Sequence, residues 1–438
     1  MNRRDLIAAL AAATVPGGAF AQGSTLRAAA QAAWLYGLPL IEMATTRARA
    51  LTGRGGMAGA VNRFVHTRAL AGPASRGVTA PNNDTLYSSA WLDLTRGPVT
   101  LTIPETGARY ISVAGMNFYT DNDFVLGTRT SGGAGGVFTI VGPGQAGSGP
   151  GVVRLSTPQG WLLARTLVDG PADLAAVHAV QDGLKLSGPS APPPPAFAAR
   201  AAPAMDYFQS VAALLKANPP PATDGALFAR IAALGLSADG RFDAARHDPA
   251  ARAEIEAGVS AARAALQGVR PGPSSGGWSY PKSNLGDYGQ DYVFRAGVAL
   301  AGLAALPAAE AMYMNPVGDR GRMFSGDGPY VLRFPGNAQP PVDAFWSLTM
   351  YEATPEGQFF LVENPLGRYS IGDRTPGLAR GADGSLEIWI ARSDPGGARS
   401  ANWLPAPASG PFTLSFRAYL PRPELLDGRY RLPAIVAG

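Results

Sequence analysis

Two tracts of short, alternating apolar runs separated by Gly- and Pro-rich breaks constrain the fold of this chain more than any other feature. From Asn62 to about Leu186, runs such as "VTLTI", "YISVAG" and "GVFTIVG" are broken by "RGP", "PETG" and "GPGQAGSGPG". From about Met312, "YVLRF", "AFWSLTMY", "FFLVEN", "SLEIWIA" and "FTLSFRAYL" repeat the pattern. Alternation of period two puts every second side chain on one face of a strand, and closely spaced turn residues are the mark of an antiparallel sandwich or barrel. The chain therefore reads as mainly β with helical additions: two antiparallel, jelly-roll-like β-sandwich domains, at 62–186 and 312–438, joined by a helical region. The two halves share no evident sequence repeat.

Between the tracts, "SGPSAPPPPAFAAR" at 187–200 predicts a stiff, extended linker, because four consecutive prolines exclude both helix and central strand. The segment 201–311 reads as helical, from "AMDYFQSVAALLKANPP", "HDPAARAEIEAGVSAARAAL" and "YGQDYVFRAGVALAGLAAL", with Asp248 as N-cap and Pro249 at the first helical position of the second. Ahead of the first tract, at 22–61, "STLRAAAQAAWLYGLPLIEMATTRARAL" predicts two helical pieces hinged at Gly37-Leu38-Pro39, since proline does not suit a helix interior.

The N-terminus, "MNRRDLIAALAAATVPGGAFAQG", has paired arginines, a short apolar stretch and small residues at Ala19 and Ala21. It predicts a signal peptide over 1–21 of the twin-arginine type, cleaved after Ala21, and a periplasmic or secreted protein. Beyond it no apolar run approaches the roughly 20 residues that span a bilayer, so no membrane span is expected in the mature chain. The absence of cysteine excludes a disulfide framework, a thiolate metal site and a cysteine nucleophile. A net charge of +5 rests on scattered arginines, only 3 of the 37 basic residues being Lys, and without a basic stripe it argues against a nucleic-acid partner.

Polar residues concentrate in the first β tract, in "NRFVHTR", "PNNDTLYSSAWLDL", "ARYISVAGMNFYTDNDFVLGTRT" and "LLARTLVD". Loops at one end of a sandwich are where such folds bind ligands. The pocket expected there takes His66 and Asp84 as catalytic candidates, with Asn82, Tyr87, Arg109, Asn117, Tyr119 and Arg129 as substrate-binding candidates. A histidine works as a general base near neutral pH, an aspartate orients its ring, and an arginine such as Arg109 or Arg129 stabilises developing negative charge. Plainer readings stand beside these: His66 as a hydrogen-bonded structural histidine, and Asn82 to Asp84 as an Asx turn after Pro81. His178 and His247 read as structural.

Asp121 and Asp123 begin like a calcium loop, but Val125 and Leu126 stand where further oxygen ligands and glycine belong. Three dispersed histidines disfavour zinc, and no metal or other cofactor is expected. "GPSSG" at 272–276 lacks the strand and helix of a nucleophile elbow, and "SYPK" at 279–282 lacks the partner motifs of a serine and lysine pair. In the second tract Trp346, Tyr351, Tyr369, Trp389 and Trp403 suit either core packing or stacking on sugar faces, and Arg368, Arg374 and Arg417 suit carboxylate or phosphate.

Taken together, "PNNDTLYSSAWLDLTRGPV", "RYISVAGMNFYTDNDFVLGTRT", "RMFSGDGPYVLRFP", "NPLGRYSIGDRT", "DGSLEIWIARSDP" and "NWLPAPASGPFTLSFRAYLP" resemble exported bacterial proteins that join domain of unknown function 1254 to domain of unknown function 1214. The connecting "GWSYPKSNLGDYGQDYVFRAGVALAGLAALPAAEAMY" is similar too, and the resemblance covers nearly the whole mature chain. It implies paired β-sandwiches with helical additions and maps motif positions onto His66, Asn82, Asp84, Tyr87, Arg109 and Arg129, without supplying a reaction. Two functional readings follow: a cofactor-independent hydrolase or lyase for a small polar, ester-bearing or sugar-like compound, or a non-catalytic ligand-binding or assembly protein of the cell envelope. A small molecule or glycan is the expected ligand, and a homo-oligomer is an open alternative.

Overall fold

The structure, a computed structural model, describes residues 25–53, 59–267, 272–319, 322–325 and 328–438. The signal-peptide reading of residues 1–21 lies outside the described residues. The first sandwich is built from β1 (Val65–His66), β2 (Thr85–Asp93), β3 (Val99–Ile103), β4 (Ile111–Asn117), β5 (Asn122–Gly127), β6 (Gly136–Val141), β7 (Val152–Arg154), β8 (Gln159–Leu167) and β9 (Lys185–Ser187). A five-stranded sheet in the order β1-β2-β8-β4-β5 faces a four-stranded sheet in the order β7-β6-β3-β9. The alternation in "VTLTI" explains the packing: Val99, Leu101 and Ile103 are buried while Thr100 and Thr102 are half-buried. The buried set meets Ala90, Leu92, Leu162 and Ala164 from the other sheet.

The second sandwich uses β10 (Ser274–Ser275), β11 (Trp278–Ser279), β12 (Ala311–Pro316), β13 (Tyr330–Phe334), β14 (Val342–Ala353), β15 (Phe359–Phe360), β16 (Ser370–Gly372), β17 (Leu386–Ala391), β18 (Trp403–Pro405), β19 (Phe412–Pro421) and β20 (Val436–Ala437). One sheet runs β10-β11-β12-β19-β14-β15, with β16 also on β14, and the other runs β18-β17-β13-β20. Their shared core holds Leu332, Phe334, Trp346, Leu348, Ile388, Ile390, Leu414 and Phe416. "GPSSG" forms an exposed hairpin edge at β10.

The longest helices among the described residues are α1 (Thr25–Thr52), α2 (Leu174–Gly183), α3 (Ala204–Ala217), α4 (Pro249–Gln267) and α5 (Tyr292–Ala301). Asp248 caps α4, its Oδ1 accepting from Ala251 N at 2.8 Å. The two-piece reading of the first helix is corrected: α1 runs unbroken through Pro39. Its residues from Ala32 to Ala44 are buried on every side, by α3, α4, α5 and the sheet residues Trp91, Met116 and Leu163. That burial outweighs the roughly 3 kcal/mol an interior proline costs. No helix among the described residues is long and apolar enough to cross a membrane.

The approach of α4 to α1 depends on Gly258. A Cβ there would lie 2.3 Å from the Arg27 carbonyl oxygen and 2.9 Å from Ala30 Cβ. Gly258→Ala is therefore expected to lower stability by about 1–3 kcal/mol, despite the roughly 1 kcal/mol by which alanine favours a helix. Urea unfolding would show a lower midpoint at unchanged slope; a variant as stable as the parent would mean that the helices are not held at this separation.

The segment 187–200 has no regular structure after Ser187 and is pinned along its length. Asn62 Nδ2 donates to Pro189 O at 2.8 Å, Ala198 N donates to Ser210 Oγ at 2.9 Å, and Arg200 Nη1 pairs with Glu42 Oε1 at 2.8 Å. The sandwiches touch directly, through an apolar cluster joining Tyr110, Ala114 and Leu167 to Ala311, Phe345 and Tyr419.

Candidate functional site

The structure does not bring His66 and Asp84 together. β1 pairs with β2 so that His66 lies opposite Ser88, and its Nδ1 is 2.8 Å from Ser88 Oγ. Gln181 of α2 donates to the same hydroxyl at 3.3 Å and to Thr67 O and Tyr87 O, so His66 belongs to a network that fastens α2 to the sheet edge. Burial and the neighbouring Arg68 hold its imidazole below the ordinary histidine value, against Asp182. Asp84 lies four residues from Ser88, about 13 Å along a strand that rises ~3.3 Å per residue. Its Oδ2 accepts from Ser347 Oγ of the second sandwich at 2.7 Å. The reading of Asp84 as the orienter of His66 is thereby corrected: strand register assigns that histidine another partner.

The other candidates divide between two places and the rim. Asn82 makes the Asx turn, Oδ1 accepting from Asp84 N at 2.6 Å and Thr85 N at 3.2 Å, and its Nδ2 donates to Tyr419 Oη at 2.7 Å. Tyr87 lies under the guanidinium of Arg165, 5.3 Å from its ring centre. Both residues therefore belong to the junction between the sandwiches. Arg109 is clamped on Asp173 by bonds of 2.5 and 2.6 Å, and Arg129 donates to Glu310 Oε2 at 2.7 Å. Asp173 holds the Arg109 guanidinium through both Nη atoms, whereas Arg129 is half-exposed and gives only its Nε to Glu310.

Asn117 and Tyr119 do share a cleft, of about 260 Å³, between the first sandwich and the helical region. The turn from β4 to β5 is wound tightly by Asn117, whose Oδ1 accepts from Tyr119 N at 2.9 Å and Asp121 N at 3.1 Å, with Thr120 at φ 74°. This places Asp121 and Asp123 on the cleft wall beside Asp224, Asp287, Arg295 and the flat face of Pro219 to Pro221. Arg295 enters from the first turn of α5 and is 4% exposed. Its Nη2 donates to Asp121 Oδ2 at 3.0 Å and Gly289 O at 2.8 Å, while Nε and Nη1 have no partner. Asp224 accepts from Tyr36 Oη at 2.7 Å and Tyr292 Oη at 2.8 Å.

Burial raises the carboxyl of Asp121 above the usual aspartate range, against the attraction of Arg295. The desolvating wall pushes Asp123 up to about 6, against bonds from Ser156 N at 2.6 Å, Ser156 Oγ at 2.9 Å and Asn117 Nδ2 at 3.0 Å. Asp123 is an exposed residue, so water screens the energetic consequence of that shift. Among the described residues no three acidic or histidine side chains converge as a metal-holding set. Four carboxylates against one guanidinium make the cleft rich in acceptors, suited to hydroxyl or ammonium donors. Sequence reasoning missed Arg295 and Asp224. The signal for Arg295 was a single charge inside the apolar run "YVFRAGVALAGL".

Fold and site thus define a protein of two β-sandwiches with a polar cleft where the first meets a helical region. The family model described as Protein of unknown function (DUF1254) matches residues 61–188, and Protein of unknown function (DUF1214) matches residues 310–423. The chain belongs to the proteins that carry these two domains in this order. Arg295 and Asp224 lie between the two matched segments. The fold is similar to the crystal structure of the VPA0106 protein from Vibrio parahaemolyticus, at 23% identity and a TM-score of 0.72, covering 94% of this chain and 100% of that one. An uncharacterised protein from Burkholderia cenocepacia is similar at 14% identity and a TM-score of 0.44, with 91% of each chain covered. No curated protein matches the chain.

Proposed function

We propose that the protein binds a small, hydroxyl-rich compound, a sugar or polyol, in the cleft of Asp121, Asp123 and Arg295. The observation that carries this reading is the buried Arg295 guanidinium, whose Nε and Nη1 are unbonded, set among acceptors that call for donors. A hydroxyl group satisfies both, accepting from Arg295 and donating to a carboxylate. Pro219 to Pro221 and Tyr119 supply an apolar wall for a ring. A second reading, a cofactor-independent hydrolase or lyase for the same compounds, is favoured by Asp123, a carboxyl that the cleft wall pushes up toward the range in which a general acid works. Export by the twin-arginine route is part of the proposal, supported by Arg3-Arg4 and the Ala19 to Ala21 ending. N-terminal sequencing of the exported protein is expected to begin at Gln22, and a start at Met1 would refute it.

A thermal-shift screen of residues 22–438 against sugars, polyols, amino sugars and sugar esters tests the cleft. A true ligand stabilises the native state by about 2.7 kcal/mol at 100 times its dissociation constant. Asp123→Asn keeps the shape of the wall and loses the charge, so binding is expected to weaken about 10-fold or more, the worth of a charge-assisted hydrogen bond. The reading fails if no compound stabilises the protein, or if hits bind Asp123→Asn equally well.

A further inference from the structure

The face that the first sandwich turns to the second carries a row across three strands: Tyr87 on β2, Arg165 on β8 and Ser112 on β4, in register. The second sandwich carries the same order of residue types: Tyr313 on β12, Arg417 on β19 and Ser347 on β14. The two rows meet at the junction, where Ser347 bonds Asp84, Tyr351 Oη donates to Pro81 O at 2.7 Å and Asn82 reaches Tyr419. Both arginines are 5% exposed.

Their surroundings are unequal. Arg417 donates to Thr349 Oγ1 and Tyr351 Oη, both at 2.7 Å, and lies in the field of the Asp84 carboxylate. Arg165 makes one bond, from Nη2 to Ala304 O at 2.7 Å, and stands over the Tyr87 ring. Its Nη1 has no partner, and neither has the buried hydroxyl of Thr85, while the Ser112 hydroxyl lies within reach of Tyr110. Glu310, whose field reaches Arg165, is bonded to Arg129 and Tyr110. The junction therefore holds two buried guanidiniums, with Asp84 in the field of Arg417 and Glu310 shared between Arg165 and the half-exposed Arg129, so that Arg165 has no carboxylate of its own. An unpaired buried charge costs several kcal/mol. Tyr87 and Tyr313, which flank this row, are half-buried.

We propose that the junction is an anion site, in which Arg165, flanked by Tyr87 and Ser112 and facing Tyr313, binds the carboxylate of a small organic acid. A carboxylate supplies the acceptor that Arg165 Nη1 lacks, whereas a phosphate dianion would bring a second charge beside Asp84. The guanidinium and hydroxyl groups all donate to the incoming oxygens. The site is separate from the acidic cleft and stands or falls without it.

The test follows the melting temperature of residues 22–438 with sodium acetate, pyruvate or benzoate, against sodium chloride and inorganic phosphate at equal ionic strength. At least one carboxylate is expected to raise it saturably beyond chloride. Arg165→Met abolishes the rise, Ser112→Ala weakens the affinity about 10-fold, and the cleft variant Asp123→Asn keeps it. The proposal is overturned if no carboxylate exceeds chloride, if phosphate alone stabilises, or if Arg165→Met responds like the parent. Should Arg165→Met fail to fold, Ser112→Ala and Tyr313→Phe decide, and unchanged carboxylate affinity in both overturns it.

Discussion

Asp84→Ala is expected to lower the unfolding free energy by about 3–5 kcal/mol, the cost of leaving a buried charge without the countercharge in its field. Arg417, buried between the sandwiches, then loses the carboxylate in its field, and Ser347 loses its acceptor. Burial holds the Asp84 carboxyl above the ordinary aspartate value, so the group is costly to place, and the large effect comes from leaving Arg417 unopposed. Asp84→Asn retains an acceptor for Ser347 and loses only the charge, so its loss is smaller. Urea unfolding measures both. A loss below about 1 kcal/mol for Asp84→Ala, typical of an exposed ion pair, would show that Asp84 does not anchor the junction.

Arg295→Met is expected to cost a similar amount at neutral pH, about 3–5 kcal/mol, and its pH dependence identifies the group left behind. Burial already raises Asp121, and Arg295 opposes that rise; without Arg295 the folded-state value climbs further. Between the ordinary aspartate value and that raised one, the folded variant binds more protons than its unfolded chain, so its stability increases as pH falls. The deficit against the parent is thus full above the raised value and shrinks on acidification. A deficit that grew toward acid pH would mean that Asp121 is not the group Arg295 serves.

These two residues show what could be read from the chain alone. Alternation in "VTLTI" was legible because pleating is local, and so was the Asp248 cap, whose signal spans three residues. The clustering of Asn117, Tyr119, Asp121 and Asp123 was legible because a single turn holds them. The pairing of His66 was not, since it depends on which residue of β2 the register places opposite, and that residue is Ser88. Arg295 and Asp121 stand 174 positions apart, and nothing local announces their contact. Continuity through Pro39 was hidden for a related reason: propensity is local, while the burial that overrides it comes from helices far along the chain.

Hydrogen–deuterium exchange with the best hit of the screen shows whether ligand occupies the acidic cleft. Slowed exchange is expected in 117–124, 154–159, 222–225 and 286–295 alone, the stretches that line the cleft. Protection confined to β1, α2 and the surroundings of His66, with the cleft stretches unchanged, would contradict it.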